Sequence, residues 1–441
     1  MPAPLITNAN QLALLSTSDI QSVTDLQLSG LSTSILTGLG FNQVKALTNA
    51  QVQALTPDQI SSLSLRQIQS FSTNQFAVMM APQLQSLPLK DWNKLNGGVV
   101  GAVQPTIFNQ LSPDVITNLT EVQLNSLPTA IWNNLTSAQV QGLTQGQLLG
   151  LNPKSISYLG TDGLSGLSAQ NISILPTTQI SYLTTSELNG LTSVQIGALT
   201  SKHILSLNAP QITSLSTVQI PFLTSSQIQS LSFSQVNELN SAQINILTST
   251  QQQSLSQMQI KAISTGNLNS ITSLQVQTLQ TAQIYALSTL QISALGTSFF
   301  GNLSSDQFKV LRPTQVASLN TSVVSVLTTS QVLTLTTNDI SVLSTDQLNA
   351  FSTQNLTLFS SNQIQSLSTA QLTSLSTGLI ASLNNSQVFS LTNKQFSSLS
   401  VSQLNSFSSS QLLSLTNTQI ASLSTAQINQ LLPTLIQYCE F

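Results

Sequence analysis

Charge is nearly missing from this sequence. Asp, Glu, Lys and Arg make up 5% of its 441 residues and the formal net charge is −3, whereas ordinary soluble domains carry roughly 25% charged residues. The ten basic side chains are scattered from Lys45 to Lys394, so no stripe exists that could neutralise a run of phosphates, and nucleic acid is not an expected partner. One histidine and 13 acids are too few and too dispersed for convergent acid–base chemistry. The single cysteine, Cys439, excludes a disulfide within the chain and leaves only a link between two tails. No apolar run approaches the roughly 20 residues that cross a bilayer, and the first residues show no basic segment followed by an apolar one, so neither a membrane span nor a signal peptide is expected.

Ser, Thr, Asn and Gln fill the place of charge, and they fill it periodically. Stepping by eight from Leu15 lands on Val23, Leu31, Leu39, Leu47 and Leu55 and continues to Phe407, Leu415 and Leu423, always on an apolar residue, through about 52 octads without insertion or deletion. Position 6 is the second apolar site (Ile20, Leu28, Ile60, Ile420, Ile428), with Gln252 the clear polar exception. Position 5 is usually Gln, as at Gln59, Gln139, Gln243 and Gln363, and position 2 is mostly Ser or Thr. Such fixed-period self-similarity is the signature of a solenoid.

Positions 6 and 1 of the next octad are three apart, a helical neighbour spacing. Ser or Thr at position 2 followed by Gln at position 5 has the spacing of a capping box. Proline agrees: Pro57, Pro105, Pro113, Pro153, Pro313 and Pro433 fall at position 3, Pro88, Pro128 and Pro176 at position 2, and Pro82 and Pro210 at position 4, all compatible with a helix start; only Pro221, at position 7, is not. The spacing therefore predicts an all-α solenoid of very short helices, one per octad. A β-solenoid is the alternative, suited by the low charge and a potential Gln ladder, but 18 glycines are few for a tight corner in every rung. The organisation expected is an end segment over 1–14, a continuous solenoid over 15–430 with a bend at 95–111, where Leu-Asn-Gly-Gly-Val-Val-Gly-Ala-Val keeps the apolar phase but loses the caps, and a second end segment over 431–441. Gly296 to Gly301 is a weaker break.

The run Leu-Ser/Thr-Thr-x-Gln-Ile-x-x resembles the octad repeats of large bacterial surface and exported proteins. The register of residues 55–62, Leu-Thr-Pro-Asp-Gln-Ile-Ser-Ser, is similar to that of the mesothelin, stereocilin and otoancorin group, whose fold is a superhelix of short helices; the charged residues and disulfides usual in that group are lacking here. Both resemblances imply an extracellular or cell-surface interaction protein without catalysis.

Residue by residue, no catalytic, cofactor-binding or metal site is expected. His203 stands at position 5 in place of the capping Gln. Asp91 and Asp162 sit at helix starts, where carboxylates suit the helix dipole. Trp92 and Trp132 both occupy position 6 and read as core. Sequons at Asn118, Asn134 and Asn302 arise readily in so Asn-, Ser- and Thr-rich a chain. The function expected is a structural repeat protein, not an enzyme, whose partner is itself, assembled into a fibre, sheath or surface layer. The alternative is a monomeric adhesin-like or secreted binding module that holds a protein or glycan on one solenoid face. A third reading, an ice- or crystal-binding face of Thr rows, requires the β-solenoid.

Overall fold

The computed structural model describes residues 6–430. They form an all-α solenoid: a succession of short helices, one per octad, with no strand among the described residues. Each octad alternates between two backbone regimes. Positions 1 and 2 are extended, as at Leu55 (φ −62°, ψ 131°) and Thr56 (φ −74°, ψ 157°), and the residues that follow are helical, as in Pro57–Ser61. The cap explains the switch. The Thr56 N–H donates to Gln59 Oε1 at 2.8 Å while the Gln59 N–H donates to Thr56 Oγ1 at 3.2 Å, so each satisfies an amide that a helix start would leave without a partner. The same reciprocal pair recurs at Ser72 and Gln75, Thr144 and Gln147, Ser344 and Gln347, and Thr392 and Gln395.

Helices of four to six residues do not persist alone in water; what holds these is contact with helices elsewhere in the sequence. Ala9–Leu14 packs on Thr33–Leu36, and Gly97–Ala102 lies against both Thr73–Val78 and Glu121–Ser126, each three octads away. The coil thus closes on itself every three to four octads. Positions 1 and 6 point to its interior, where Ile60, Leu63, Ile212, Leu215, Ile364 and Leu367 are buried. Trp92 and Trp132 are among the largest fully buried side chains, as their position 6 requires. The chain divides into two compact units, Met1–Ser230 and Leu231–Phe441, and this description holds within each.

Three places depart from the pattern for identifiable reasons. Pro221 has no N–H to continue an α-helix, and its octad forms a turn and a 3₁₀ helix at Ile220–Phe222 instead. Over 95–111 helices persist at Gly97–Ala102 and Pro105–Phe108, with Val100, Val103 and Phe108 buried. Asn96 caps the first of these by accepting from the Gly98 N–H at 2.7 Å, and a Cβ at Gly97 would stand 2.4 Å from Ser126 Oγ, turning that hydroxyl from the Gln123 carbonyl to which it donates. At the third, Leu159 is helical (φ −68°, ψ −22°) where the position-1 residues Leu151 and Leu175 on either side are extended, and Gly160 takes φ +61°, a conformation glycine adopts without strain. The expected end segment at 431–441, with Cys439 and Pro433, lies outside the described residues, as do residues 1–5.

Candidate functional surface

The position-5 glutamine does more than close the capping box. In Gln139, Oε1 accepts from the Thr136 N–H at 3.0 Å, while Nε2 donates to the Phe108 carbonyl at 2.9 Å and the Leu111 carbonyl at 3.0 Å. One amide therefore starts its own helix and caps the carbonyl end of a helix 28 to 31 residues upstream. In the second unit Gln387 does the same, accepting from Asn384 and donating to Leu356 and Phe359 at 2.9 and 2.7 Å. A second, outer set of bonds runs forward from position 7: Gln21, Gln85, Asn125, Asn349 and Gln365 each donate to a backbone carbonyl 25 residues downstream. The surplus of Asn and Gln thus joins turns, and the cross-turn half of this role had no signal in octad spacing beyond the recurrence of Gln at position 5 itself.

Residues that replace this Gln show what the position demands. His203 is buried, its Nδ1 3.1 Å from the Thr200 N–H and its Nε2 2.8 Å from the Leu175 carbonyl. That geometry fixes the tautomer: Nδ1 accepts and Nε2–H donates, as the two ends of a Gln amide would. Burial lowers the imidazole pKa below its ordinary 6.5, with the Leu175 bond opposing. Asn355, being shorter, reaches only the Leu327 carbonyl, at 2.9 Å. The carboxylates cannot donate at all. Glu187 accepts from the Thr184 N–H at 2.7 Å, and 28 residues upstream of it the Leu159 carbonyl instead accepts from the Gly163 N–H at 3.2 Å; a missing donor does not by itself bend a joint, because Val103, Leu295 and Phe351, 28 residues upstream of Ile131, Val323 and Leu379, stay extended. Asp339 accepts through Oδ2 from both the N–H and the hydroxyl of Thr336, and its buried Oδ1 has no partner. Asp91 is buried and pairs with Lys94 at 3.2 Å.

Proline at the cap removes the N–H that the amide oxygen needs. Gln179 follows Pro176 and its buried Oε1 is left without a partner; after Pro128 position 5 is Ile131, which needs no donor, and after Pro88 it is Asp91, which accepts from Lys94 instead. Gln252, the polar residue at position 6, is accommodated by donating to the Gln275 carbonyl at 2.8 Å and accepting from Thr278 Oγ1 at 3.3 Å, beside a cavity of about 20 Å³.

Asp162 lies in the first turn of Gly160–Leu164, as a helix-start acid should. Asn118, Asn134 and Asn302 all fall at position 8, each side-chain amide donating to the carbonyl four residues back at 2.7 to 2.8 Å. Among the described residues no three His, Cys, Asp or Glu side chains gather where they could hold a metal ion, and no helix is long and apolar enough to cross a membrane.

The outer surface carries shallow grooves that recur at one place in the repeat, between the joint of one octad and the cap of the octad three later. They occur at Leu15, Ser16, Phe41 and Asn42, at Thr120, Glu121, Thr144 and Gly146, and at Asn384, Asn385, Ser408 and Ser410. In the second, the Glu121 carboxylate rests on Gly150, where a Cβ would come within 2.3 Å of it. No protein-family model matches this chain, and no curated protein matches it.

Proposed function

We propose that this chain is a non-enzymatic structural repeat protein whose outer surface associates with further copies of itself to build a fibre, sheath or layer. The observation that carries this reading is a set of large apolar side chains at one outward-facing octad position: Leu26, Val122, Val194, Val218, Met258, Leu274 and Leu290 all occupy position 4 and all are exposed, Leu26 by 84%. Burying such groups between copies is favourable by roughly 25 cal/mol per Å², and a net charge of −3 over 441 residues offers little repulsion against it. The ionisable side chains support the non-catalytic half of the reading, because His203 and Glu187 are engaged as caps and Asp91 as an ion pair.

Negative-stain electron microscopy of the untagged protein over a concentration series tests it. Filaments or sheets with a regular repeat are expected, and the combined substitution Val194→Lys and Val218→Lys, at two exposed sites, should raise the concentration at which they form while leaving the helical circular dichroism unchanged. Discrete particles at every concentration would contradict the proposal.

A further inference from the structure

One groove opens into a second depression that holds an exposed aromatic ring, as Phe41 does in the first groove. Asn385 and Ser386 line both the recurrent groove of the second unit, with Ser408 and Ser410, and an adjoining depression formed with Ser361, Phe389 and Ser414. Phe389 occupies position 7, where Asn349 and Gln365 donate to the Ser374 and Ser390 carbonyls at 2.8 Å. A phenyl ring forgoes that bond, and the ring is instead 59% exposed. Its surroundings are neutral: between Asp346 and Glu440 the one charged residue is Lys394, which does not line either depression.

We propose that this continuous groove binds a neutral glycan chain. A sugar ring presents an apolar C–H face and a rim of hydroxyls. Phe389 supplies a flat, solvent-facing aromatic surface for the first, and the exposed amide of Asn385 and hydroxyls of Ser386 and Ser410 supply donors and acceptors for the second. Ser408 and Ser410 already lie with their hydroxyl oxygens 3.1 Å apart, a pair that can serve one sugar hydroxyl as donor and acceptor together. The absence of a lining cation removes the recognition element that phosphate, sulfate or uronate groups need, and the open, hydroxyl-lined form lacks the enclosed apolar pocket in which a peptide anchor residue would be desolvated. This inference is independent of self-assembly and survives its failure.

The test is affinity electrophoresis and titration calorimetry of the full chain with dextran, cellohexaose, maltohexaose and N-acetylated chitohexaose, with heparin as the charged comparison. At least one neutral glycan should bind. Phe389→Ala and Asn385→Ala, both at exposed sites, should each weaken that binding tenfold or more with unchanged circular dichroism, while Phe389→Tyr retains it. Failure of all four neutral probes, binding indifferent to Phe389→Ala and Asn385→Ala, or preference for heparin would each overturn the proposal.

Discussion

The smallest unit of this structure is a primary amide that accepts at one end and donates at the other, and the sites that lack it make sharp tests. Asp339 holds a buried oxygen without a partner; Asp339→Asn is isosteric and supplies an N–H placed as that of Asn355 is, so we expect a gain of about 1–3 kcal/mol, read as slower amide exchange in the helix Ser305–Lys309 upstream. Faster exchange there would contradict it. Pro176→Ser should return a cap N–H to Gln179. The cap is worth about 1 kcal/mol and the satisfied acceptor adds to it, against about 0.4–1 kcal/mol lost through a freer unfolded chain, so exchange at Gln179 and Ile180 should slow. His203 gives a pH dependence of known sign. Because its folded pKa lies below its ordinary 6.5, the unfolded chain binds the proton more readily; its contribution to stability is complete above about 6.5 and is lost as pH falls through the folded value. His203→Gln should flatten that acid limb in pH-dependent melting, and an unchanged limb would contradict a buried, neutral imidazole.

At the scale of the element, a helix of four to six residues is defined by two hydrogen-bonded ends and two inward side chains. Much of this was legible beforehand. The three-residue step between positions 6 and 1, the Ser/Thr-to-Gln spacing and the prolines at positions 2 to 4 each specify a helix start, because caps and proline act through local backbone geometry. Pro221 marked its departure for the same reason. What spacing within an octad could not show is that Gln59 also donates to the carbonyls of Leu28 and Leu31, at 3.0 and 2.8 Å, since that depends on how many octads make a turn. Gly160 was equally silent, since its joint, with positive φ, keeps the octad spacing. Because every octad offers the same carbonyls, removing a whole one should merely exchange partners. Deleting residues 49–56 would let Gln59 donate to Val23 in place of Leu31, so we expect a helical protein with a melting transition close to the parent's. Deleting residues 49–52 alone turns positions 6 and 1 out of phase and should unfold the N-terminal turns. Equal damage from the two deletions would contradict the register.

For the whole molecule, repeats that touch only nearby turns make stability a sum of local terms and neighbour terms, and the position-5 amide is the neighbour term written in a single side chain. The interior and its caps could be read from the sequence; the grooves could not, since they depend on which octads the coil brings side by side. Hydrogen exchange measured by mass spectrometry on Gln139→Met tests the cross-turn bond most directly. The substitution keeps an unbranched side chain of similar length but removes both ends of the amide. Amides of the helix Pro105–Phe108 and of Leu111, about 30 residues away in sequence from the change, should lose protection together with those following Thr136. Loss of protection confined to residues 136–142, with 105–111 unaffected, would contradict the account.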